Sequence, residues 1–480
     1  MTLRKFGAVL AAASLVLAAC GGDDEATSAA DTAVEETTAE ETAAEATAAE
    51  ETATPEATAT PEDTAASEPA PSGEMITQPG ACGLNNGEEA TGEPIKLGGL
   101  ATNIPGVDFT WIPQMAGIYF DCVNANGGIY GHPIEYSYED AAPDPAVLSA
   151  LAVKLVEEDQ VLGIVGNTEL LECDVNGEYY ASKGFHPIIA GVAPGCFLSD
   201  NWSAVNMGPY YSNLGGAQAA LRAGATGKMV VASPDLPGMD FNNSSVGDFA
   251  LSNGLEFEGF LETVPIADPG GFAQRLVEAA GEGGAVVLNF TGPTVTPLLL
   301  AIEQQGLIDS VIWASSTPPN DDTVAAAVGP DWDGKFLINA EFNVLDSGLP
   351  DQNNLNEIHA AANAEFPVAA FAQMGYLVGK FTTEALLRMG EGAEYTVETV
   401  NAAIYALTGA ESDLLCKPWY YTSGTGQNVS NNTDRTVAPD GDKMSQVEDC
   451  FDVEAIDKDD AAGIGGNPLG AIREAEAANG

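Results

Sequence analysis

The chain has 480 residues and sets 71 acidic side chains against 16 basic ones, a formal net charge of -55 at neutral pH. So few cations among so many carboxylates cannot build a phosphate-binding face, which excludes nucleic acid as a partner. The length exceeds what one hydrophobic core supports and fits two lobes.

Arg4 and Lys5 precede an apolar stretch from Phe6 to Ala19. These are the n-region and h-region of an export signal, too short to stay in a bilayer as a spanning helix. The stretch ends in Leu17-Ala18-Ala19-Cys20, which resembles the bacterial lipobox. That resemblance implies a lipoprotein signal over residues 1–20, cut before Cys20 so that this cysteine becomes the mature N-terminus and carries a lipid, placing the protein on the extracytoplasmic face of the cell membrane. Residues 21–75 hold 16 acidic residues and no basic one among Ala, Thr, Pro, Ser and Gly. A segment with nothing to bury cannot offset the entropy of ordering, and like charges extend it, so it reads as a disordered tether.

The remainder alternates strand and helix. Ile95–Ala101 is a short apolar run. Ile112, Met115, Ala116, Tyr119, Cys122 and Val123 then fall on one helix face, with Pro113 tolerated in the first turn and Asn126-Gly127-Gly128 as the stop. Ile134, Tyr136 and Tyr138 alternate as in a half-buried strand, Asp144-Pro145 caps and opens the next helix, and Val161–Val165 is another strand. Further strands are predicted at Pro187–Ala190, Lys228–Ala232, Glu256–Thr263, Ala285–Phe290, Val311–Ala314 and Lys335–Ala340. Helices fall between them at Asn213–Ala225, Gly238–Asn253, Gly271–Ala280 and Thr294–Gln305, and three more follow at 353–365, 369–389 and 396–407. Such alternation argues for parallel sheets covered by helices on both faces.

Besides Cys20 there are six cysteines, an even number in an oxidising compartment: Cys82, Cys122, Cys173, Cys196, Cys416 and Cys450. No C-x-x-C spacing favours zinc or redox chemistry, so disulfides are expected and neither metal nor cofactor is. Six cysteines allow fifteen pairings; pairing of neighbours, 82–122, 173–196 and 416–450, is the expectation.

The run Ile95–Ala101, then Pro105-Gly106, then a helix closing in Val123-Asn124-Ala125-Asn126-Gly127-Gly128-Ile129-Tyr130-Gly131, resembles the start of leucine-binding proteins, the substrate-binding proteins of branched-chain amino-acid ABC transporters. The strand ending in Glu139-Asp140, the helix bearing Leu155-Val156 and the strand Val161-Leu162-Gly163-Ile164-Val165-Gly166 continue that pattern. The Cys173–Cys196 pair is similar to a disulfide of that family. The resemblance, from about residue 94 to about 420, implies an α/β type I periplasmic-binding-protein fold, with two Rossmann-like lobes joined by a three-segment hinge. Lobe 1 would comprise 94–210 and 341–415, lobe 2 would comprise 211–340 and 416–450, and 451–480 would be a C-terminal tail. The chain would cross between lobes near 207–212, 338–342 and 415–420.

Ligands of open α/β sheets sit beyond the carboxyl ends of strands. Gly166-Asn167-Thr168-Glu169 follows a strand and precedes a helix, so Thr168 would grip a carboxylate as the family's hydroxyl does, or Asn167 and Thr168 simply cap the helix. In the next loop, Gly191 offers its backbone, and Val192 stands where the family places a hydroxyl. Phe109 and Trp111 would cover an apolar part of the ligand, or belong to the core. Across the cleft, Gly238-Met239-Asp240, Phe290-Thr291 and Ser315-Ser316-Thr317 follow strands, offering Asp240, Thr291 and Ser316. Where the family places an acid for the ligand ammonium this chain has Ser-Ser-Thr-Pro-Pro; Glu169 or Asp240 would compensate, or be solvated carboxylates.

His132, His186 and His359 are scattered, G-x-S-x-G is missing from the sequence, and Asp440-Gly441-Asp442 and Asp457–Asp460 lack the spacing of a calcium loop and read as solvated loops. The expected function is capture of a small polar solute (amino acid, amide or organic acid) by a monomeric, lipid-anchored binding protein that delivers it to an ABC permease. A ligand sensor of the same fold reporting to a partner protein is the alternative, and an extracytoplasmic enzyme a third reading for which the sequence names no nucleophile–base pair.

Overall fold

The computed structural model describes residues 75–197, 201–419 and 433–453. Cys20, the tether up to residue 74 and the tail beyond Val453 lie outside these. Among the described residues, no helix is long and apolar enough to cross a membrane.

The first lobe is built on a six-stranded sheet. Its strands are β1 (Ile95–Ile104), β2 (Val107–Asp108), β3 (Ile134–Ala141), β4 (Gly163–Asn167), β5 (Ile188–Ile189) and β6 (Ser203–Ala204). All pairings are parallel except β2, which folds back on the end of β1. The helices α1 (Trp111–Asn124), α2 (Pro145–Val153) and α3 (Glu172–Ser182) connect them. Asp144 caps α2 by accepting the amides of Ala146 and Val147, with Pro145 at the first position.

The second lobe begins with α4 (Gly208–Arg222). It continues as β7 (Lys228–Pro234), α5 (Met239–Ser252), β8 (Glu256–Glu262), α6 (Pro269–Ala280), β9 (Ala285–Leu288), α7 (Gly292–Gln304), β10 (Ile312–Ser315), α8 (Asp322–Ala327) and β11 (Phe336–Ala340). Its central parallel strands are largely apolar and buried, as in the sequence Ala-Val-Val-Leu of β9, whereas β8 at the edge is Glu-rich and partly exposed. The chain then returns to lobe 1 as α9 (Pro350–Ala361), α10 (Ala370–Arg388) and α11 (Val397–Ala406). It re-enters the second sheet as an antiparallel hairpin, β12 (Thr433–Asp440) and β13 (Lys443–Asp452), giving the order β13-β12-β11-β10-β9-β7-β8.

Helix α10 is buried on every side from Ala370 to Leu387, which a helix apolar almost all round requires. It lies against α1 so closely that a Cβ on Gly375 would sit 2.3 Å from the Ile112 carbonyl oxygen, and one on Gly379 would meet the Tyr119 Cβ at 2.7 Å. Lys380 and Glu384 on this helix are buried as well. Lys380 pairs with Asp351 at 2.6 Å, and Glu384 pairs with Arg388 at 2.8 Å.

Those two carboxylates hold a segment that the sequence reading leaves outside lobe 1. The amides of Ile76 and Thr77 donate to Glu384, and the Gly80 amide donates to Asp351 at 2.7 Å. Cys82 is bonded to Cys122 of α1, Cys173 to Cys196, and Cys416 to Cys450. Residues 76–82 are therefore tied to helices of lobe 1, ahead of the expected start at 94. Two of the expected crossings also have local structure of their own. Helix α4 starts at Gly208, whose φ of +79° leads into Pro209 at the first turn, so most of 207–212 is helix and the chain crosses just before it. Trp419 packs into the lobe 1 core and donates from Nε1 to the Ala204 carbonyl, so Cys416–Trp419 stay with lobe 1. Asp440-Gly441-Asp442, read as a solvated loop, is the exposed turn of the β12–β13 hairpin, with Gly441 at φ +66°.

Candidate functional site

The loops at the carboxyl ends of the strands of both lobes face one another, and the cleft between them holds about 710 Å³ of unfilled space, counting its open mouth. The lobes touch across it. The hydroxyls of Thr291 and Thr294, at the start of α7, both donate to the Gly106 carbonyl in the turn between β1 and β2, at 3.1 and 3.0 Å. Gly106 has φ +85°, and a Cβ there would be 3.3 Å from Val264 Cβ, so the close approach needs glycine.

The lining is largely apolar. Val107, Phe109, Leu170, Val192, Phe371 and Met374 come from lobe 1, and Pro209, Leu236, Met239, Val264, Phe290 and Pro318 from lobe 2. Phe109 and Phe371 meet edge to face with centroids 5.4 Å apart. Among the described residues, the polar lining is Asn206, Ser212, Asn289, Thr291, Thr294, Thr317 and Glu341, with no Lys or Arg.

Most of that polarity is committed within the protein. Asn206 clamps Gly191 reciprocally, accepting its amide at 2.8 Å and donating to its carbonyl at 2.9 Å. Ser212 donates to Thr317 Oγ1 at 2.9 Å and accepts the Thr317 amide at 2.8 Å, and Asn339 Nδ2 donates to the same Thr317 oxygen at 3.1 Å. Glu341 follows β11 where the chain returns to lobe 1, and its Oε2 accepts the Met207 amide of the first crossing at 2.7 Å. Burial raises the Glu341 carboxyl to about 7, against the lowering effect of that amide and of the Thr317 hydroxyl.

Of the residues expected at the site, Phe109, Gly191, Val192 and Thr291 line the cavity. The other six do not. Trp111 stacks on Phe366 in a separate surface depression. Asn167 Oδ1 accepts the Leu100 amide, and the Thr168 hydroxyl contacts the Phe109 carbonyl at 3.5 Å, so both are occupied by lobe 1 backbone. Glu169 turns back to accept the Thr102 hydroxyl and the Leu171 amide, serving the start of α3. Asp240 is exposed in the first turn of α5. Ser316 is buried behind the lining, donating to Asn289 Oδ1 at 2.8 Å. Neither carboxylate expected to replace the family's acid is on the lining; Glu341 is, and no spacing in the sequence marks it.

The architecture is shared with solved proteins. A fatty acid ABC transporter substrate-binding protein from Thermomonospora curvata superposes with a TM-score of 0.65 at 18% identity, over 77% of this chain and 95% of that one. A branched-chain amino acid ABC transporter protein from Thermus thermophilus with bound valine gives 0.64 at 15% identity, over 75% and 97%. A solute-binding protein from R. palustris in complex with benzoate gives 0.59 at 15% identity, over 76% and 99%. Identities this low establish the fold alone. A search of curated proteins returns no match. The family model for periplasmic binding proteins matches residues 114–437, more than half of the chain. A match of that extent on this two-lobed architecture shows that the chain belongs to the periplasmic binding protein family and has its type I fold.

Proposed function

We propose that the protein captures a small solute with an apolar body in the interlobe cleft and presents it to an ABC permease, held to the outer face of the membrane by a lipid on Cys20. The observation that carries this reading is the cleft itself, lined from both lobes and closed by the Thr291 and Thr294 bonds to Gly106. A concave, mostly apolar space with a few polar groups, lined from two lobes, is what a small-molecule site requires. The solved relatives whose names mention fatty acid, benzoate or bound valine support a ligand with a hydrocarbon part. Of the solute classes expected from sequence, this cleft favours those in which that part dominates. Phe109, Val192 and Thr291 are the proposed contacts from the loops, while Gly191 acts through its clamp to Asn206.

The test is a calorimetric and thermal-shift screen of the purified protein against short apolar amines, carboxylates, alcohols and amino acids. Ligand at a thousandfold its Kd raises stability by about 4 kcal/mol, a clear shift in unfolding temperature. Binding by one class, with loss of its uptake in a deletion strain, supports delivery to a permease; a folded protein that shifts with none refutes solute capture. A Cys20→Ala protein that remains in the membrane fraction refutes the anchor.

A further inference from the structure

Glu341 stands apart from the rest of the cleft. Among the described residues it is the single ionisable side chain on the lining, it is only 4% exposed, and it occupies the point where two interlobe connections meet, since its Oε2 holds the Met207 amide. No Lys or Arg among the described residues forms an ion pair with it. The ionisable groups behind it supply no positive charge to it. Asp434, at the start of β12, is fully buried, and burial first and the Glu341 charge second hold its carboxyl well above the usual carboxylate range, so it offers Glu341 no compensating charge. The nearest cations, Arg435 beside Asp434 and Arg222 on α4, act on Asp434, and Arg222 is already paired with Glu448 at 2.8 Å. A buried carboxylate without a cation is costly, so the charged form of Glu341 is disfavoured until a positive charge reaches it. The cleft offers the space for one, and Phe109, Phe290 and Phe371 are on the same lining.

We infer that Glu341 is the specificity-determining residue of the cleft and selects a solute with an apolar aliphatic or aromatic body and a protonated amine, whose ammonium supplies the positive charge that Glu341 lacks. This rests on the proposed solute-binding role and names its substrate class. A free carboxylate is the wrong partner, because no basic side chain on the lining would meet it and Glu341 would oppose it. Binding of the ammonium favours the ionised form of Glu341, so whatever fraction of the carboxyl is protonated at the working pH gives up its proton as the solute enters.

The experiment uses the purified protein with phenethylamine and hexylamine, matched against phenylpropionate and hexanoate and against phenethyl alcohol and hexanol, titrated at pH 6 and pH 8. The amines stay protonated over this range, and a carboxyl that titrates at about 7 is about one-tenth ionised at the lower pH and nine-tenths at the higher. Amine affinity should therefore rise about tenfold from pH 6 to pH 8, and at pH 6 the binding heat should vary with the buffer's ionisation enthalpy because a proton is released. Glu341→Gln keeps an oxygen for the Met207 amide but no charge, and should weaken amine binding by about thirtyfold or more. Amine binding that is flat with pH, or unchanged in Glu341→Gln, overturns the assignment. Binding of the carboxylates or alcohols in place of the amines also overturns it while leaving solute capture standing. Binding by no probe of any class overturns both together.

Discussion

Substitution of Lys380 by Met should cost about 3 kcal/mol and release the segment ahead of β1. The Lys380 ammonium lies 2.6 Å from Asp351 Oδ2, and the two side chains are 1% and 0% exposed. Removing one member of a buried pair leaves the other charge uncompensated, which typically costs about 3 to 5 kcal/mol. Asp351 retains three donors, the Gly80 amide at 2.7 Å, the Ser412 hydroxyl at 2.6 Å and the Tyr376 hydroxyl at 3.2 Å. Those bonds place the loss at the lower end of the range. Urea unfolding at fixed pH measures it, and amide exchange at Gly80 reports whether the segment loosens before the lobe unfolds. The double variant Lys380→Met, Asp351→Asn should recover part of the loss, because a neutral amide replaces the stranded carboxylate. A Lys380→Met protein within about 1 kcal/mol of the parent, with the Gly80 amide equally protected, would refute the reasoning.

Three other outcomes are expected. Burial raises the Glu172 carboxyl to about 8, even though its Oε1 accepts the Tyr180 hydroxyl at 2.8 Å. A carboxyl raised from 4.5 to about 8 on folding contributes stability that is complete below 4.5 and is lost as pH rises towards 8. Glu172→Gln should thus remove a few kcal/mol of the decline in unfolding free energy between pH 5 and pH 8.5, and an unchanged slope would count against it. Gly208→Ala places a Cβ at a φ of +79° and 2.4 Å from the Phe197 ring; the left-handed backbone alone costs about 1 to 2 kcal/mol, and urea unfolding should show at least that, with weaker solute binding because Gly208 lines the cleft. Replacing Cys416 and Cys450 by Ser opens a link with a sequence separation of 34, and should lower stability by about 4 kcal/mol on the chain-entropy account; a change below about 1 kcal/mol would show that the surrounding packing already fixes this connection.

The parallel strands and covering helices are legible in the sequence because each is long enough to show its period or its apolar run. Lys228–Ala232 falls within β7, Glu256–Thr263 differs from β8 by a single residue, and the run 369–389 brackets α10 within one residue at each end. Residues 76–93 show no period, since a disulfide and backbone amides reaching carboxylates some 300 positions away hold them. The β12–β13 hairpin is hidden because Asp434 and Arg435 are buried in it and its register shifts twice, so neither alternation nor an apolar run marks it. At the cleft, the rule that loops follow strand ends locates Phe109, Gly191, Val192 and Thr291 on the lining. It cannot foresee that Asn167, Thr168 and Glu169 are consumed by nearby backbone. Glu341 becomes a cleft residue only because the distant Met207 amide and the opposing lobe are brought to it.

The order in which the chain visits the two lobes has a consequence for its synthesis. Helix α10 fills the centre of lobe 1 against α1, yet it follows every parallel strand of lobe 2. As the polypeptide emerges, β1, α1 and β3 must therefore wait for more than two hundred residues before the helix that covers them exists, with Met115, Tyr119 and Phe120 lacking their partners. Lobe 2 can assemble its central strands during that interval, but its edge is completed by β12 and β13 only after lobe 1 is whole. Neither lobe can finish as an independent unit, and the apolar surface exposed in the interval is the kind that invites aggregation or a holding chaperone.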